Sequence, residues 1–208
     1  MSKKSYRIKL CWGLESGDCR NLVFPGTDLY QGLESILEES GWPECLARNL
    51  SREIKPLDQF SISVSGCPNG CSRPQIADFG LIQASYPEVV VDLCSGCGEC
   101  VRVCREGAIN LQNGVAVINS DLCLSCGKCL ESCPENALSP STSGYRVQVG
   151  GKLGRHPRLA EELSCISSRQ EVLHILANCL QLHQEYYLPG VRFGQVVSEQ
   201  GVERIDVR

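Results

Sequence analysis

Two runs of cysteine dominate the chemistry that this sequence can perform. Each run reads C-x2-C-x2-C-x3-C, and eighteen residues separate the two. The first run is Cys94, Cys97, Cys100 and Cys104, and the second is Cys123, Cys126, Cys129 and Cys133. Three thiolates at three-residue spacing can surround one four-iron cube, whereas the fourth lies too far round the loop and reaches the other cube. The spacing therefore predicts two 4Fe–4S clusters.

Each predicted cluster takes three ligands from one run and one from the other. The first cluster set is Cys94, Cys97, Cys100 and Cys133, and the second cluster set is Cys123, Cys126, Cys129 and Cys104. A zinc site or a disulfide framework is the alternative interpretation, although zinc sites favour cysteine pairs over two sets of four. Pro134 follows the last cysteine, while Arg105 stands at the equivalent position of the first run. Over about residues 84–140 the pattern resembles the bacterial two-cluster ferredoxin.

Charge is distributed unevenly along the chain. The 84–140 segment has three Lys or Arg against seven Asp or Glu, whereas the two flanks together carry seventeen of each. We expect such an acidic surface to steer a basic electron donor towards the clusters. The whole chain of 208 residues has a formal charge of −4, which gives no indication of a nucleic-acid partner.

The cysteine content also bears on the cellular compartment. Fifteen cysteines in a secreted chain would indicate disulfides, but most of these stand in cluster spacing, and cluster assembly belongs to a reducing compartment. The N-terminal residues lack the apolar stretch of a signal peptide, and no apolar run approaches the length of a membrane span. The sequence therefore predicts a cytoplasmic redox protein of one or two domains.

A second group of cysteines lies outside the two runs. The alternating stretch F-S-I-S-V-S predicts a strand over residues 60–65, and it leads into G-C-P-N-G-C. Cys67 and Cys71 thus stand on a loop with little side-chain bulk, where their spacing favours metal ligation over chance. Cys11 and Cys19 lie in an earlier segment that reads as a loop. Cys45 and the two remaining cysteines, Cys165 and Cys179, are interpreted as packing thiols.

Two clusters of basic side chains are candidates for holding an anion. Arg7 and Lys9 share one face of the predicted strand Y-R-I-K-L, since side chains alternate along a strand. The glycine-rich stretch G-G-K-L-G-R-H-P-R can approach an anion through backbone N–H groups while its cations pair with carboxylates. Its basic residues are Lys152, Arg155, His156 and Arg158. A solvated strand face and a solvated basic turn are the plain alternatives.

Local patterns predict the elements that carry these residues. Apolar residues at helical spacing predict helices over 28–40, ended by Gly41 and Pro43, and over 168–187, with His174 and His183 in packing roles. A short helix over 193–198 and a last strand from Val202 follow. Asn113-Gly114 predicts a tight hairpin turn between residues 109 and 118. Residues 139–144 read as a polar linker before a strand over 145–149.

Taken together, these motifs resemble the siroheme-containing nitrite and sulfite reductases with a ferredoxin insert, including the anaerobic and dissimilatory sulfite reductases. The matching segments are residues 63–80, the twin cysteine runs, residues 144–158, and R-F-G-Q-V-V near the end. The resemblance implies an α+β fold. It further implies a siroheme and 4Fe–4S domain of residues 1–83 and 141–208, interrupted by a two-cluster ferredoxin domain of residues 84–140.

The same resemblance implies a third 4Fe–4S cluster and a siroheme. Cys67 and Cys71 would be one ligand pair of that cluster, with Cys71 also bridging to the siroheme iron. Cys11 and Cys19 occupy the place of the other pair, although their C-x7-C spacing departs from the family's C-x5-C. The candidates for binding sulfite or nitrite are Arg7, Lys9, Arg73, Lys152 and Arg155. The candidates for the siroheme carboxylates are Lys152, Arg155, His156 and Arg158.

The activity implied is the six-electron reduction of sulfite to sulfide or of nitrite to ammonia. Enzymes of this family contain two related halves, and the sequence corresponds to one half with the insert. We therefore expect a homodimer or a complex with a sister subunit, together with an electron donor protein. An electron-transfer module without siroheme is the main alternative, and a role in handling tetrapyrrole or metal cofactors is a third.

Overall fold

The computed structural model describes residues 4–26 and 28–205 of the chain. Its strands are β1 (Tyr6–Leu10), β2 (Phe60–Ser65), β3 (Phe79–Val89), β4 (Ile109–Gln112), β5 (Val115–Ile118), β6 (Leu138–Val149) and β7 (Glu161–Ser167). Its helices are α1 (Trp12–Ser16), α2 (Asp28–Glu39), α3 (Trp42–Asn49), α4 (Glu99–Val103), α5 (Lys128–Ser132), α6 (Arg169–Glu185) and α7 (Phe193–Gln200). Short 3-10 turns cover Pro74–Ile76, Val91–Leu93 and Val202–Arg204. In the described part of the chain, no helix is long and apolar enough to cross a membrane.

A mixed five-stranded sheet forms the centre of the fold. Its order is β1-β2-β3-β6-β7, with β1, β2 and β3 parallel and the remaining pairs antiparallel. This mixed α/β architecture agrees with the predicted fold class. A separate two-stranded sheet consists of β4 and β5, and Asn113 and Gly114 both have positive φ in the turn between them, as predicted.

One face of the large sheet carries the main hydrophobic core. Phe60, Ile62 and Val64 of β2 point into it and pack against residues of α2, α3, α6 and α7. Trp42 is fully buried there, with its indole N–H donating to the carbonyl of Ser5 at 3.0 Å. His183 stacks on the Trp42 ring with centroids 4.4 Å apart, which confirms its predicted packing role. Residues from both ends of the sequence build this single core.

The opposite face of the sheet is covered by a loop rather than by helices. Ser61, Ser63 and Ser65 alternate with the apolar residues of β2 and are buried as well. Ser63 Oγ donates to the Ser72 carbonyl at 2.8 Å, and the hydroxyls of Ser65 and Ser72 are 2.6 Å apart. These hydrogen bonds hold the loop of residues 66–78 against the sheet.

The helices predicted over 28–40, 168–187 and 193–198 are present as α2, α6 and α7, whereas α1, α3, α4 and α5 were not predicted. The α2 and α6 helices match their predictions, and α6 begins with a capping box between Ser168 and Glu171. Gly41 ends the helical run with φ 78°, but Pro43 does not stop the chain's helicity. It lies in the first turn of α3, where its missing N–H removes no hydrogen bond. Cys45 is buried within α3, and Cys179 within α6.

Two further predictions about the chain are wrong. Residues 139–144 are not a linker, because they belong to β6 and pair with residues 84–88 of β3. A register shift at Tyr86/Pro87 places Pro140 opposite Pro87, where neither proline has an N–H to donate. The predicted last strand is a 3-10 turn over Val202–Arg204, and its remainder from residue 206 lies outside the described residues, as does the side chain of Cys165.

The long ribbon of β3 and β6 leads to a second, smaller core. Cys100, Ile109, Ala116, Cys129 and Leu138 are buried in it. This core lies between α4 and α5, each of which carries a cysteine of one run, and the β4-β5 hairpin that connects the two runs. Both β3 and β6 continue through the predicted boundaries at 83/84 and 140/141, so the division into two domains stays a prediction.

Candidate iron–sulfur and anion sites

The first cluster set comes together beside α4. All four of its cysteines line one pocket, which contains Cys94, Cys97, Cys100 and Cys133. Burial raises the pKa of the Cys100 thiol, and the neighbouring Cys94 and Cys133 raise it further. Cys133 of the second run therefore lies with cysteines of the first, which is the crossing that the spacing predicts. Cys97 is exposed and lies at the outer edge.

The second cluster set comes together beside α5. Its members Cys104, Cys123, Cys126 and Cys129 line a cavity of about 700 Å³. The pKa of the Cys129 thiol is raised to about 12, chiefly by burial and then by the three other thiols. A fourth cysteine from the first run thus completes this set as well. The same cavity reaches Cys67 and Pro68, so the second set faces the loop of the remaining cysteines.

Backbone N–H groups point at the sulfurs of both sets in a repeated pattern. Ala108 donates to Cys104 Sγ at 3.3 Å, and Ala137 donates to Cys133 Sγ at 3.2 Å, four residues on in each case. Ser125 donates to Cys123 Sγ at 3.4 Å. Such donors favour the thiolate form, and hydrogen bonds to sulfur also tune the reduction potential of a cluster.

A third group, the Cys67 set, brings together Cys67, Cys71, Cys11 and Cys19. The pKa of the Cys67 thiol is raised first by burial and then by Cys71, Cys11 and Cys19, in that order. The Gly66 N–H donates to Cys11 Sγ at 3.3 Å, which fixes Cys11 against the Cys67 loop. These contacts place all four candidate ligands in one neighbourhood.

A helical turn between Cys11 and Cys19, which was not predicted from the sequence, shortens the distance between these two cysteines. Residues 12–16 wind into α1, and Gly17 ends it with φ 71°, so that the chain returns within a short distance. Gly13 then lies so close that an added Cβ would be 2.6 Å from Cys19 Cβ. The C-x7-C segment therefore brings both cysteines to the Cys67 loop despite its two extra residues.

Each of the three sets offers four thiols, which is the number and type of ligand that a 4Fe–4S cluster takes. No three His, Cys, Asp or Glu side chains across residues 4–26 and 28–205 have the arrangement that holds one metal ion. A four-iron cube binds one thiolate at each of its four irons. The donor chemistry of the three sets, four sulfurs in each, fits 4Fe–4S clusters.

Within the Cys67 set, one ligand is open to a second group. Cys71 is exposed, whereas Cys11 is buried and Cys19 and Cys67 are half-buried. Arg73, two residues beyond Cys71, is exposed and held in the left-handed conformation with φ 67°. A side chain other than glycine in this conformation indicates a loop whose shape the surrounding contacts impose. The exposed Cys71 fits a thiolate that is shared with a macrocycle.

The other predicted basic residues lie on two elements, the strand β1 and the 150–158 stretch. Arg7 and Lys9 are exposed on one face of β1, in register with Ser61 and Ser63 beneath the loop. The 150–158 stretch folds back on itself, since Lys152 and Arg158 exchange both backbone hydrogen bonds. Arg155 and His156 lie exposed at its tip.

This basic hairpin is fixed directly on the loop that follows Cys71. The Gly150 N–H donates to the Asp78 carbonyl at 2.9 Å, and the Ala160 N–H donates to the Gln75 carbonyl at 2.8 Å. Gly151 approaches Gln75 so closely that a Cβ would lie 2.6 Å from its carbonyl oxygen. Arg158 donates to the Gly194 carbonyl at 2.8 Å and pairs with Glu161, so its side chain is engaged in structural contacts.

Asp78 and Arg192 are site-supporting residues that the sequence analysis did not identify. The buried Asp78 carboxylate accepts from the Ser61 N–H at 2.9 Å and from Ser61 Oγ at 2.5 Å. Burial raises the pKa of Asp78, while Arg192, 3.5 Å away, and the Ser61 hydrogen bonds act in the opposite direction. A lone aspartate within the apolar stretch I-A-D-F-G-L-I was the available signal.

Fold and cysteine geometry together indicate an iron–sulfur domain with a basic face. Residues 54–206 match the family described as the nitrite and sulphite reductase 4Fe-4S domain. The chain belongs to this family.

Relatives and solved structures agree with that membership. The chain is 38% identical over 170 residues to the coenzyme F420-dependent sulfite reductase of Methanocaldococcus jannaschii, covering 82% of this chain and 25% of that protein. It is 36% identical over 76 residues to an anaerobic sulfite reductase subunit of Salmonella typhimurium, covering 35% of this chain and 23% of that one. The chain thus spans about a quarter of the length of these relatives.

Two solved structures share the fold. Dissimilatory sulfite reductase I superposes with a TM-score of 0.62 at 17% identity, covering 95% of this chain and 50% of that one. The NirA protein of Mycobacterium tuberculosis superposes with a TM-score of 0.52 at 18% identity, covering 96% and 26%. At these identities the likeness concerns the fold alone.

Proposed function

We propose that this chain is the siroheme- and iron–sulfur-binding part of a reductase that converts sulfite to sulfide or nitrite to ammonia. The observation that carries the proposal is the Cys67 set, in which four cysteines converge and Cys71 alone is exposed. Three 4Fe–4S clusters and one siroheme are the cofactors proposed. The names of the relatives favour sulfite over nitrite as the substrate.

The reaction requires electrons, protons and a site for an anion. Sulfite takes up six electrons and seven protons and gives hydrosulfide and three waters; nitrite takes up six electrons and eight protons and gives ammonium and two waters. Siroheme, when bound, supplies an iron that takes the substrate anion and passes electrons into its S–O or N–O bonds. The protein's own task is to hold the anion, offset its charge and deliver the protons.

Basic residues around the Cys71 loop perform this task in the proposal. Arg73 is the basic residue nearest to Cys71 in sequence. Its left-handed backbone conformation fixes the direction in which its side chain leaves the loop. Arg7 and Lys9 provide two further positive charges on the same face of the sheet. Lys152, Arg155 and His156, on the adjacent hairpin, are proposed to bind siroheme carboxylates, with Lys152 and Arg155 also available to the substrate. Preorganised cations of this kind stabilise charge that develops in a transition state.

The arrangement of the cysteine sets supports a direction of electron flow. The first set is the outer one, with Cys97 exposed, and the second set shares its cavity with Cys67. Clusters, when bound, carry one electron at a time. We therefore propose that an electron donor protein delivers electrons at the first set, and that the second set hands them to the Cys67 set. The acidic composition of residues 84–140 fits a basic donor.

Assembly with another chain is part of the proposal. The chain covers half of the structure with the highest TM-score given above, so a second copy or a sister subunit would complete the siroheme face. A reducing compartment, the cytoplasm, fits the reduced thiols that cluster assembly requires. An electron-transfer subunit without siroheme is the second candidate, favoured by the small share of its relatives' length that this chain spans.

Anaerobic purification followed by a visible spectrum separates the two candidates. We expect porphyrin-type bands above the broad iron–sulfur absorption, with about twelve acid-labile sulfides and about thirteen iron atoms per chain, because three four-iron clusters carry twelve irons and siroheme adds one. Full iron and sulfide content without porphyrin bands, after expression with an intact siroheme supply, would support the electron-transfer subunit instead. Far fewer iron atoms would contradict both.

A further inference from the structure

The cavities of the two cluster sets within residues 84–140 differ in charge. This segment contains three cations, Arg102, Arg105 and Lys128, and all three line the cavity of the second set together with Glu106 and Glu131. The pocket of the first set is lined by Glu99 and Glu135, and no lysine or arginine stands among its described lining residues. All of the positively charged residues of this acidic segment therefore line the cavity of the second set.

Arg105 is the cation that is not neutralised. Arg102 pairs with Glu99 at 2.6 Å, and Lys128 pairs with Glu131 at 2.9 Å. Arg105 is exposed and has no ion-pair partner in the part of the chain that the structure describes. It directly follows Cys104, whereas Pro134 occupies the equivalent position after Cys133. An unpaired positive charge therefore lies beside a ligand of the second set and has no counterpart at the first.

We infer that Arg105 gives the second set a more positive reduction potential than the first, so that electrons pass from the first set to the second. A cluster that accepts an electron gains one negative charge, and a nearby cation stabilises that reduced form. Glu135 at the first set is matched by Glu106 at the second, two residues after the last cysteine of each run, and Glu99 is paired with Arg102. The difference in charge between the two sites is therefore Arg105. In the transfer itself the first cluster is oxidised by one electron and the second is reduced by one, with the electron donor protein as the source. The inference rests on the proposed iron–sulfur function.

The expected size of the effect follows from the exposure of Arg105. A unit charge near the protein surface, several ångströms from the cluster, changes the reduced-to-oxidised ratio by about two- to threefold at a fixed potential. For a one-electron couple this corresponds to about 20 to 30 mV, since a tenfold change is 59 mV. A shift of this size suffices to order two clusters with the same ligand type.

An EPR-monitored redox titration of the purified holoprotein tests the inference. The two clusters of the 84–140 segment are recognised by their mutual spin coupling, because their ligands cross between the runs. In the wild type we expect two unequal potentials. Arg105→Gln should lower the more positive one and leave the other in place, whereas Arg105→Lys should keep both. Lys55→Gln removes an exposed cation from outside this segment and should change neither.

A reciprocal variant makes the test independent of any loss of folding. Pro134→Arg places a cation at the matching position of the first run and should raise the lower potential. An unchanged gap in both Arg105→Gln and Pro134→Arg, or a fall of the lower potential in Arg105→Gln, would overturn the inference. Iron and sulfide counts of each variant distinguish this outcome from a failure of the proposed function, in which the coupled pair of clusters is missing from the wild type itself.

Discussion

Lys128 Nζ donates a hydrogen bond to the carbonyl oxygen of Arg20 at 2.5 Å. Lys128 begins α5 and immediately precedes Cys129 of the second set, while Arg20 immediately follows Cys19 of the Cys67 set. The contact therefore joins a side chain beside the second set to the backbone beside the Cys67 set, although the two residues are far apart in sequence. The Ser85 N–H donates to the Ser125 carbonyl at 2.7 Å and so joins the second cysteine run to β3 as well.

We predict that Lys128→Met loosens this junction without unfolding the protein. Methionine keeps the length of the side chain but cannot donate to Arg20, so one hydrogen bond of roughly 0.5–1.5 kcal/mol is lost. Amide hydrogen exchange of residues 19–23 should become about three- to tenfold faster. Glu131→Gln is the matched control, because it removes the ion pair of Lys128 and keeps the bond to Arg20. Equal exchange in Lys128→Met and the wild type would show that the junction does not depend on this bond.

A second prediction concerns Cys71, the exposed member of the Cys67 set. If its sulfur serves both a cluster and the siroheme iron, a serine oxygen is a poor substitute, because it is harder and much less acidic than a thiol. Cys71→Ser should abolish sulfite and nitrite reduction with an artificial reductant. Low-temperature EPR should show that the siroheme is uncoupled while the two clusters of the 84–140 segment persist.

The control for this experiment is a buried thiol that belongs to none of the three sets. Cys45 lies in α3, where burial raises its pKa, and none of the three cysteine sets includes it. Cys45→Ser should retain activity and cofactor content. Normal turnover in Cys71→Ser would remove the bridging role and favour the electron-transfer subunit.

The sequence predicted those features whose causes are local. Each of these features depends on residues close together in sequence: the cysteine spacing, the alternation of β2, the Asn113-Gly114 turn and the apolar face of α6. The burial of Ser61, Ser63 and Ser65 was not predictable in this way, because their partners Ser72 and Asp78 are reached only through the fold.

The predictions of helix boundaries were wrong for a related reason. The α1 helix is a single turn whose end at Gly17 resembles a loop signal, and Pro43 reads as a stop when its position in the next helix is unknown. The strand pairing of residues 139–144 depends on β3, which lies some fifty residues earlier in the chain. Long-range pairing of polar residues leaves little trace in their own composition.

A third prediction concerns the pH dependence of stability, through His183. Burial among aromatic rings lowers the pKa of His183 to about 4, outweighing the Val191 backbone, which favours the charged form. In the unfolded chain histidine titrates near 6.5, so the unfolded state binds a proton first as the pH falls. The contribution of a neutral His183 is therefore complete above pH 6.5 and is lost between pH 6.5 and about 4. The loss amounts to about 3 kcal/mol.

Urea unfolding under anaerobic conditions measures this effect as a difference between variants. His183→Leu should lower the free energy of unfolding at pH 7 but flatten its pH dependence between 6.5 and 4 relative to the wild type. His174→Leu, on the exposed side of α6, should leave the wild-type slope intact. Parallel curves for the wild type and His183→Leu would show that another group causes the acid sensitivity.

A last prediction separates stability from function at Arg73. Its left-handed backbone, with φ 67°, is unfavourable for a residue with a Cβ, whereas glycine adopts it readily. Arg73→Gly should therefore raise the free energy of unfolding by up to about 1 kcal/mol, while loss of the guanidinium weakens the binding of the substrate anion and raises KM. Asn113→Gly is the matched control, since Asn113 has φ 52° in the distant β4-β5 turn. Because asparagine adopts this conformation more readily than arginine does, Asn113→Gly should change the free energy of unfolding by less and leave turnover unchanged. Urea unfolding and steady-state kinetics on the same preparations decide the matter, and an Arg73→Gly variant with unaltered kinetics would exclude Arg73 from the anion site.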